Sequence, residues 1–324
     1  TLLASSAASD VYKRQVKTND MKATKLLTII ALASTFTGCA DWLSEDGAPK
    51  LTYDYYETRE GVDAAVISAY SYLRWGCGGE RFDVLTEMGT DLFVAGSDGN
   101  YKAAFNMYGT QLNPDMDILG GMWENHYKGI GTANIALERI LNSELSESEK
   151  NKSYAEMQFI RAFLYFDLVQ QFGRIPLVTE GSLEVRTDFK RASVEDVYKQ
   201  IITDLRSCVS NLPATTGEKG RATSYAAAHL LAKVYLTRGS AVTDARGQKA
   251  TDMDSALYYS EYVINEGKEY ALVPDFADLW DIDNMGNSEV LFAVQFTNNS
   301  IFNDGGNTFH LYWLPVYDDE PGMQ

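Results

Sequence analysis

Residues 155–178 read Ala155-Glu-Met-Gln-Phe-Ile-Arg161-Ala-Phe-Leu-Tyr-Phe-Asp167-Leu-Val-Gln-Gln-Phe-Gly173-Arg-Ile-Pro176-Leu-Val. Met157, Ile160, Leu164 and Leu168 recur at helical spacing and define one apolar stripe. Phe159, Phe163 and Phe166 define a second. A surface helix needs one apolar face, so two stripes predict a helix covered on two sides, as an inner member of a stacked array would be. Ser146 with Glu149 supplies a capping box upstream, with Leu145 placed as its staple, and Gly173 ends the helix.

Working outward, Thr58 caps a helix through Val62, Val66, Ala69, Tyr70 and Leu73 that stops near Trp75-Gly76. Residues 76–121 then lose the pattern, with repeated glycines and Pro114. A long irregular stretch inside a compact domain is usually functional or mobile. Helical spacing resumes at Trp123, Tyr127, Ile130, Ala133, Leu137 and Leu141. Ser193 caps the next helix, whose stripe is Val194, Val197, Ile201, Leu205 and Cys208, and Pro213 stops it. Residues 222–236 follow, with Ala226, Ala227, Ala228 and Ala232 permitting close helix approach. Residues 252–264 then place Ala256, Tyr259 and Val263 in step. Segments 154–172 with 193–210, and 222–238 with 252–266, therefore read as two helix-turn-helix units. Leu231-Ala-Lys-Val-Tyr235-Leu-Thr-Arg-Gly239 is close to the tetratricopeptide pattern, and such repeats stack into a curved solenoid. The fold class is thus mainly α, with long irregular loops and a few short strands. Glu289-Val-Leu-Phe-Ala-Val-Gln-Phe296 has strand propensity. The Asn- and Gly-rich residues 298–307 lead to an end with no closing repeat, which predicts a C-terminal truncation.

The chain has 324 residues, 45% of them apolar and 23% charged, a globular composition. Its net charge of −17 excludes general nucleic-acid binding, because the phosphate backbone would repel it. Cys39, Cys77 and Cys208 form neither a disulfide framework nor a zinc spacing, and His126, His229 and His310 are far apart. No metal, cofactor or catalytic cluster is expected. The excess lies in 20 tyrosines and 5 tryptophans, which suit a core, a binding surface or both.

The N-terminal segment reads as an address. A basic stretch, Met21-Lys-Ala-Thr-Lys25, precedes an apolar run at 26–36, then Thr37, Gly38 and Cys39. The run is too short to cross a bilayer as a helix, which takes about 20 residues. Met21 is the expected start and residues 1–20 a non-native upstream extension. Residues 21–38 are then the signal peptide and residues 39–57 an acidic tether. Phe36-Thr37-Gly38-Cys39 resembles a bacterial lipobox, which makes Cys39 the acylated residue.

Several stretches, taken in order, resemble the SusD-like (SusD/RagB) outer-membrane lipoproteins of Bacteroidota. The strongest is 155–178 itself. It is supported by Arg191-Ala-Ser-Val-Glu-Asp-Val-Tyr198, Gly220-Arg-Ala-Thr223, Leu231-Ala-Lys-Val-Tyr-Leu236 and Asn287-Ser-Glu-Val-Leu-Phe-Ala-Val-Gln295. Trp123-Glu-Asn-His-Tyr127 with Ala133-Asn134, and Tyr53-Asp-Tyr55-Tyr56, also match. The resemblance implies a tetratricopeptide-like scaffold over 58–324, incomplete at its C-terminal end, whose irregular loops carry the ligand site. It implies a protein held on the cell exterior by its lipid anchor. Such a protein binds oligosaccharide and delivers it to a TonB-dependent, SusC-like transporter.

In starch-binding members of that family, aromatics stack on sugar faces from the loop after a Thr-Asp dipeptide and from a Gly-Gly-containing loop. The corresponding stretches here run from Thr90-Asp91 to Tyr108, and over 303–313. The first lacks a tryptophan after Thr90-Asp91, so starch specificity is not implied. Phe93, Asn100, Tyr101 and Tyr108 are its candidate glycan contacts. The second offers Asn303, Asn307, Tyr312 and Trp313.

Other chemistry weighs less. Asp278, Asp281, Asp283 and Asn287 lack the ordered oxygen spacing of an EF-hand and suit a solvated acidic turn. His126, among Trp123, Tyr127 and Ile130, reads as a packed histidine rather than a catalytic base. Asp167 with Arg161 and Arg174 reads as a structural group. The alternatives to a binding lipoprotein are a surface-anchored glycan hydrolase, which would need an acid, base and nucleophile, and a helical-repeat scaffold binding only protein or peptide.

Overall fold

The computed structural model describes residues 53–96, 99–182, 186–297 and 299. Cys39, the signal segment and the candidates Asn303, Asn307, Tyr312 and Trp313 lie outside them. Eight α-helices occur among the described residues: α1 Arg59–Ser71, α2 Glu80–Thr86, α3 Asp117–Asn142, α4 Glu147–Phe172, α5 Val194–Asn211, α6 Ser224–Gly239, α7 Asp252–Glu266 and the single turn α8 Phe276–Leu279. From α3 to α7 each helix packs on the next, and α1 lies across α3 and α4. None of them is long and apolar enough to cross a membrane.

Local capping sets the helix starts. Thr58 Oγ1 accepts from the Gly61 N–H at 3.1 Å. Ser146 and Glu149 form the reciprocal box, and Leu145 is buried beside it. Ser193 accepts from the Asp196 N–H, and Thr223 from that of Ala226. Each cap satisfies a donor that the helix leaves without a partner, worth about 1 kcal/mol. Gly173 leaves α4 at φ +66°, a left-handed value that favours glycine.

Both stripes of α4 are covered. Met157, Ile160, Leu164 and Leu168 are fully buried, as are Phe159 and Phe166, while Phe163 packs at the margin. The predicted stripe of α5 is buried at Val197, Ile201, Leu205 and Cys208. The expected pairs form: α4 with α5, and α6 with α7.

Two sequence expectations are corrected here. The helix predicted from Trp123 begins at Asp117, so Gly120 and Gly121 are helical. Trp75 packs closely over Gly121, where a Cβ would lie 3.1 Å from its ring. Residues 76–121 also hold α2 and a π-helical turn, Lys102–Asn106. Residues 289–296 meet no partner strand among the described residues, where the one β-bridge joins Pro176 and Arg191. Strand propensity is expressed as an extended segment instead, anchored by Phe292, whose ring meets Phe159 edge-on at 5.1 Å.

The partner assigned to Arg161 also changes. Its guanidinium does not pair with Asp167. It donates to Asp204 of α5 through Nε (2.9 Å) and Nη2 (2.8 Å), and to Asn134 of α3 through Nη1 (2.8 Å). The second helix pair is locked alike, Arg238 Nε donating to Asp252 at 2.9 Å. Each two-helix unit therefore carries one buried Arg–Asp pair, the arginine on its first helix and the aspartate on its second. Arg174 instead donates to the Arg191 carbonyl at 3.4 Å.

Candidate functional site

The loop between α2 and α3 is folded on its own backbone. Gly89, at φ +81°, has no room for a side chain: a Cβ would lie 2.1 Å from the Phe105 carbonyl oxygen. Its N–H donates to the Phe93 carbonyl at 3.1 Å. Its own carbonyl accepts from the Tyr108 hydroxyl at 3.0 Å. The Ala95 N–H donates to Asn106 Oδ1 at 2.7 Å, and Lys102 Nζ to the Gly96 carbonyl at 2.9 Å.

Tyr101 (φ 57°) and Tyr108 (φ 51°) are the non-glycine residues at positive φ among the described residues. A bulky residue held left-handed costs about 1–3 kcal/mol, and such strain gathers at functional sites. Each tyrosine is fixed by its hydroxyl. Tyr101 donates to both oxygens of Asp117, at 3.2 Å each, at the first position of α3. Burial, then the hydrogen bond and charge of Asp117, push its phenol above the ordinary tyrosine value. Its ring meets Phe105 edge-on at 6.4 Å.

Of the sequence candidates, Phe93, Asn100, Tyr101 and Tyr108 thus share one hydrogen-bonded loop. Phe93 and Tyr101 are half-buried, whereas Asn100 and Tyr108 are exposed. Sequence reasoning missed the apolar side chains beside them: Leu92, Val94 and Met107 are all largely exposed. Clustered exposed apolar groups mark binding surfaces. The Leu92-Phe-Val94 run directly after Thr90-Asp91 was the available signal.

His126 is buried, as expected of a packed residue. Its ring stands edge-on to Trp75 at 5.9 Å, and its Nε2 lies 3.3 Å from Asp167 Oδ2. Asp167 therefore faces α3, not Arg161. Burial, then the charge of Asp167, push the Cys77 thiol up to about 12. A thiol pushed so high is not an activated nucleophile. In the acidic segment, Asp275 and Asp281 accept from backbone N–H groups two residues on, and Asn287 donates to the Asn284 carbonyl. No group of three His, Cys, Asp or Glu side chains is placed to hold a metal among the described residues.

Comparison with known proteins joins these observations. The sequence model of a SusD-like family, described as "Starch-binding associating with outer membrane", matches residues 60–236. A SusD-like protein of Bacteroides ovatus is 31% identical over 281 residues, 84% of this chain and 50% of that protein. A crystal structure with xylogluco-oligosaccharide is similar at 28% identity and a TM-score of 0.63, covering 73% of this chain and 46% of that one. A laminarin-binding SusD-like protein is similar at 28% identity and a TM-score of 0.64, covering 75% and 52%. The chain spans about half the length of these relatives. With the matched segment exceeding half of its residues and the helical order of the fold in agreement, the chain belongs to the SusD-like family.

Proposed function

We propose that this protein captures oligosaccharide at the cell surface without cleaving it and passes it to a TonB-dependent, SusC-like transporter in the outer membrane. Cys39 carries the acyl anchor, and two or three chains at about 0.8 kcal/mol per buried methylene hold it firmly. What carries the reading is the family match over 60–236, taken with relatives solved with xylogluco-oligosaccharide or named for binding laminarin. The loop at 87–116 suits that task. A sugar needs a flat apolar face beside hydrogen-bonding groups, and Tyr101 with Asn100, or the exposed Tyr108, offers both. Asn303, Asn307, Tyr312 and Trp313 are the further candidate contacts.

Calorimetry against a glycan panel that includes xylogluco-oligosaccharide and laminarin, with chromatography of each hit after incubation, tests this. The expected result is affinity without new product. Tyr108→Ala is expected to weaken binding by about 2- to 10-fold, as fits about 0.5–1.5 kcal/mol for one stacked ring. Product formation overturns the non-catalytic reading, and no glycan affinity overturns the ligand class. Cys39→Ala is expected to abolish fatty-acid labelling and membrane retention.

A further inference from the structure

A pocket of about 230 Å³ opens where α1, the 218–221 turn and the extended 292–295 segment meet. Its lining combines the apolar side chains Ile67, Phe292 and Val294 with the cations Arg74, Lys219 and Arg221. Glu218 is the one acid in the lining. In a chain with 28 basic and 45 acidic side chains, three cations around one small pocket reverse the prevailing sign. A concave site with low-dielectric walls concentrates such a field.

Each cation is held in place. Arg74 Nε donates to the Gln295 carbonyl at 2.9 Å. Arg221 sits over the Tyr70 ring and donates to both oxygens of buried Glu156, at 3.3 Å each, and to Glu218 at 3.1 Å. Lys219 donates to the Met285 carbonyl at 2.7 Å, which employs one of the three N–H groups of its ammonium. The turn that presents Lys219 and Arg221 depends on Gly220, at φ +84°, where a Cβ would lie 2.3 Å from Gln295 Cγ.

We propose that this pocket binds a small organic acid of single-ring size, its apolar face against Ile67, Phe292 and Val294 and its carboxylate toward Arg74 and Lys219. The volume is below the ~300–1,000 Å³ of drug-sized sites, so it takes one ring rather than a chain of them. The site is distinct from the 87–116 loop and does not draw on the glycan reading.

Sodium D-glucuronate serves as the probe and D-glucose as its neutral counterpart, titrated calorimetrically into the full chain at low salt. Saturable binding of glucuronate at least tenfold tighter than glucose is expected, because only the carboxylate accepts charge-assisted hydrogen bonds from the two cations. Arg74→Gln with Lys219→Gln is expected to lower that affinity about tenfold or more. Gly220→Ala, whose Cβ would collide with Gln295 and strain the turn that presents Lys219 and Arg221, is expected to lower it too. Tyr101→Ala is expected to leave it unchanged. Equal affinity for the two sugars, no binding of glucuronate, or a double variant that folds and binds as the parent does would each overturn the proposal. Loss of glucuronate binding in Tyr101→Ala would assign the acid to the loop instead and overturn it as well. A chain that binds neutral glycans but not glucuronate would leave the function proposed above standing and this one refuted.

Discussion

Removing the Asp204 carboxylate should damage the scaffold more than any loop substitution. Asp204 and Arg161 have side-chain exposures of 1% and 6%, so neither can turn to water for a new partner. Burial opposes the guanidinium charge, yet the hydrogen bonds and charge of Asp204 outweigh it and raise the Arg161 pKa. Deleting one member of a buried pair typically costs about 3–5 kcal/mol, because the survivor keeps an uncompensated charge. Arg161 would retain the Asn134 side chain and the Thr179 carbonyl as acceptors, so the lower end applies. Asp204→Ala is therefore expected to cost about 3 kcal/mol, a large share of the ~5–15 kcal/mol that holds a domain together. In urea, followed by circular dichroism, that is a midpoint shift of about 1 M for a slope of about 3 kcal/mol/M. The double variant Arg161→Met with Asp204→Leu removes both charges and fills the space with apolar atoms; it is expected to cost less than Asp204→Ala alone. If Asp204→Ala costs under about 1 kcal/mol, or the double variant costs as much as the single ones summed, the reasoning about a coupled buried pair is refuted.

Three further outcomes are expected. Gly129→Ala places a Cβ 2.6 Å from Leu164 Cδ1 and 3.0 Å from Tyr72 Cβ, and should cost about 1–3 kcal/mol. Gly131→Ala, with nothing within 4 Å on the same helix, should instead gain about 0.5–1 kcal/mol, and the two urea midpoints must move in opposite directions. Hydrogen bonds from Arg59, then from Ser146, hold the Glu149 carboxyl down at about 2. Because the folded value is depressed, the associated stability is present above the unfolded value and fades as pH falls through the folded one. An NMR titration should place the Glu149 midpoint near 2 and move it upward in Arg59→Ala. The Cys77 thiol, pushed up to about 12, should resist alkylation at pH near 8 in the native chain and react promptly in urea, read by mass spectrometry of the Cys77 peptide.

Helix starts were legible because a cap is a local contract: Thr58, Ser146 with Glu149, and Ser193 each reach a backbone N–H three residues on. The two stripes of α4 were legible for the same reason, since burial on both sides leaves its periodicity in sequence. Long-range polar partners left no such trace. Arg161 and Asp204 are 43 positions apart, and nothing local distinguishes Asp204 from Asp167, which lies on the same helix as Arg161. Gly121 reads as a breaker because the ring that packs on it, Trp75, arrives from another element, while Gly120 faces open space. Residues 289–296 carry strand propensity, but propensity needs a ladder partner, and none adjoins them among the described residues.

The candidate loop was legible in content and opaque in shape. Its aromatics could be counted, but residue type argues against left-handed tyrosines, and both Tyr101 and Tyr108 adopt that conformation. The loop and the frame are held by different forces. The two helices of each unit are joined by burial and by one buried Arg–Asp pair, which leave little freedom for substitution. The loop meets the frame at the hydrogen bond from Tyr101 to Asp117 of α3, and its Ala104 is fully buried. A loop so attached can change its side chains without disturbing the pairs beneath it. The fold was therefore read from the scaffold residues, whose burial leaves a periodic trace in the sequence, rather than from those of the loop.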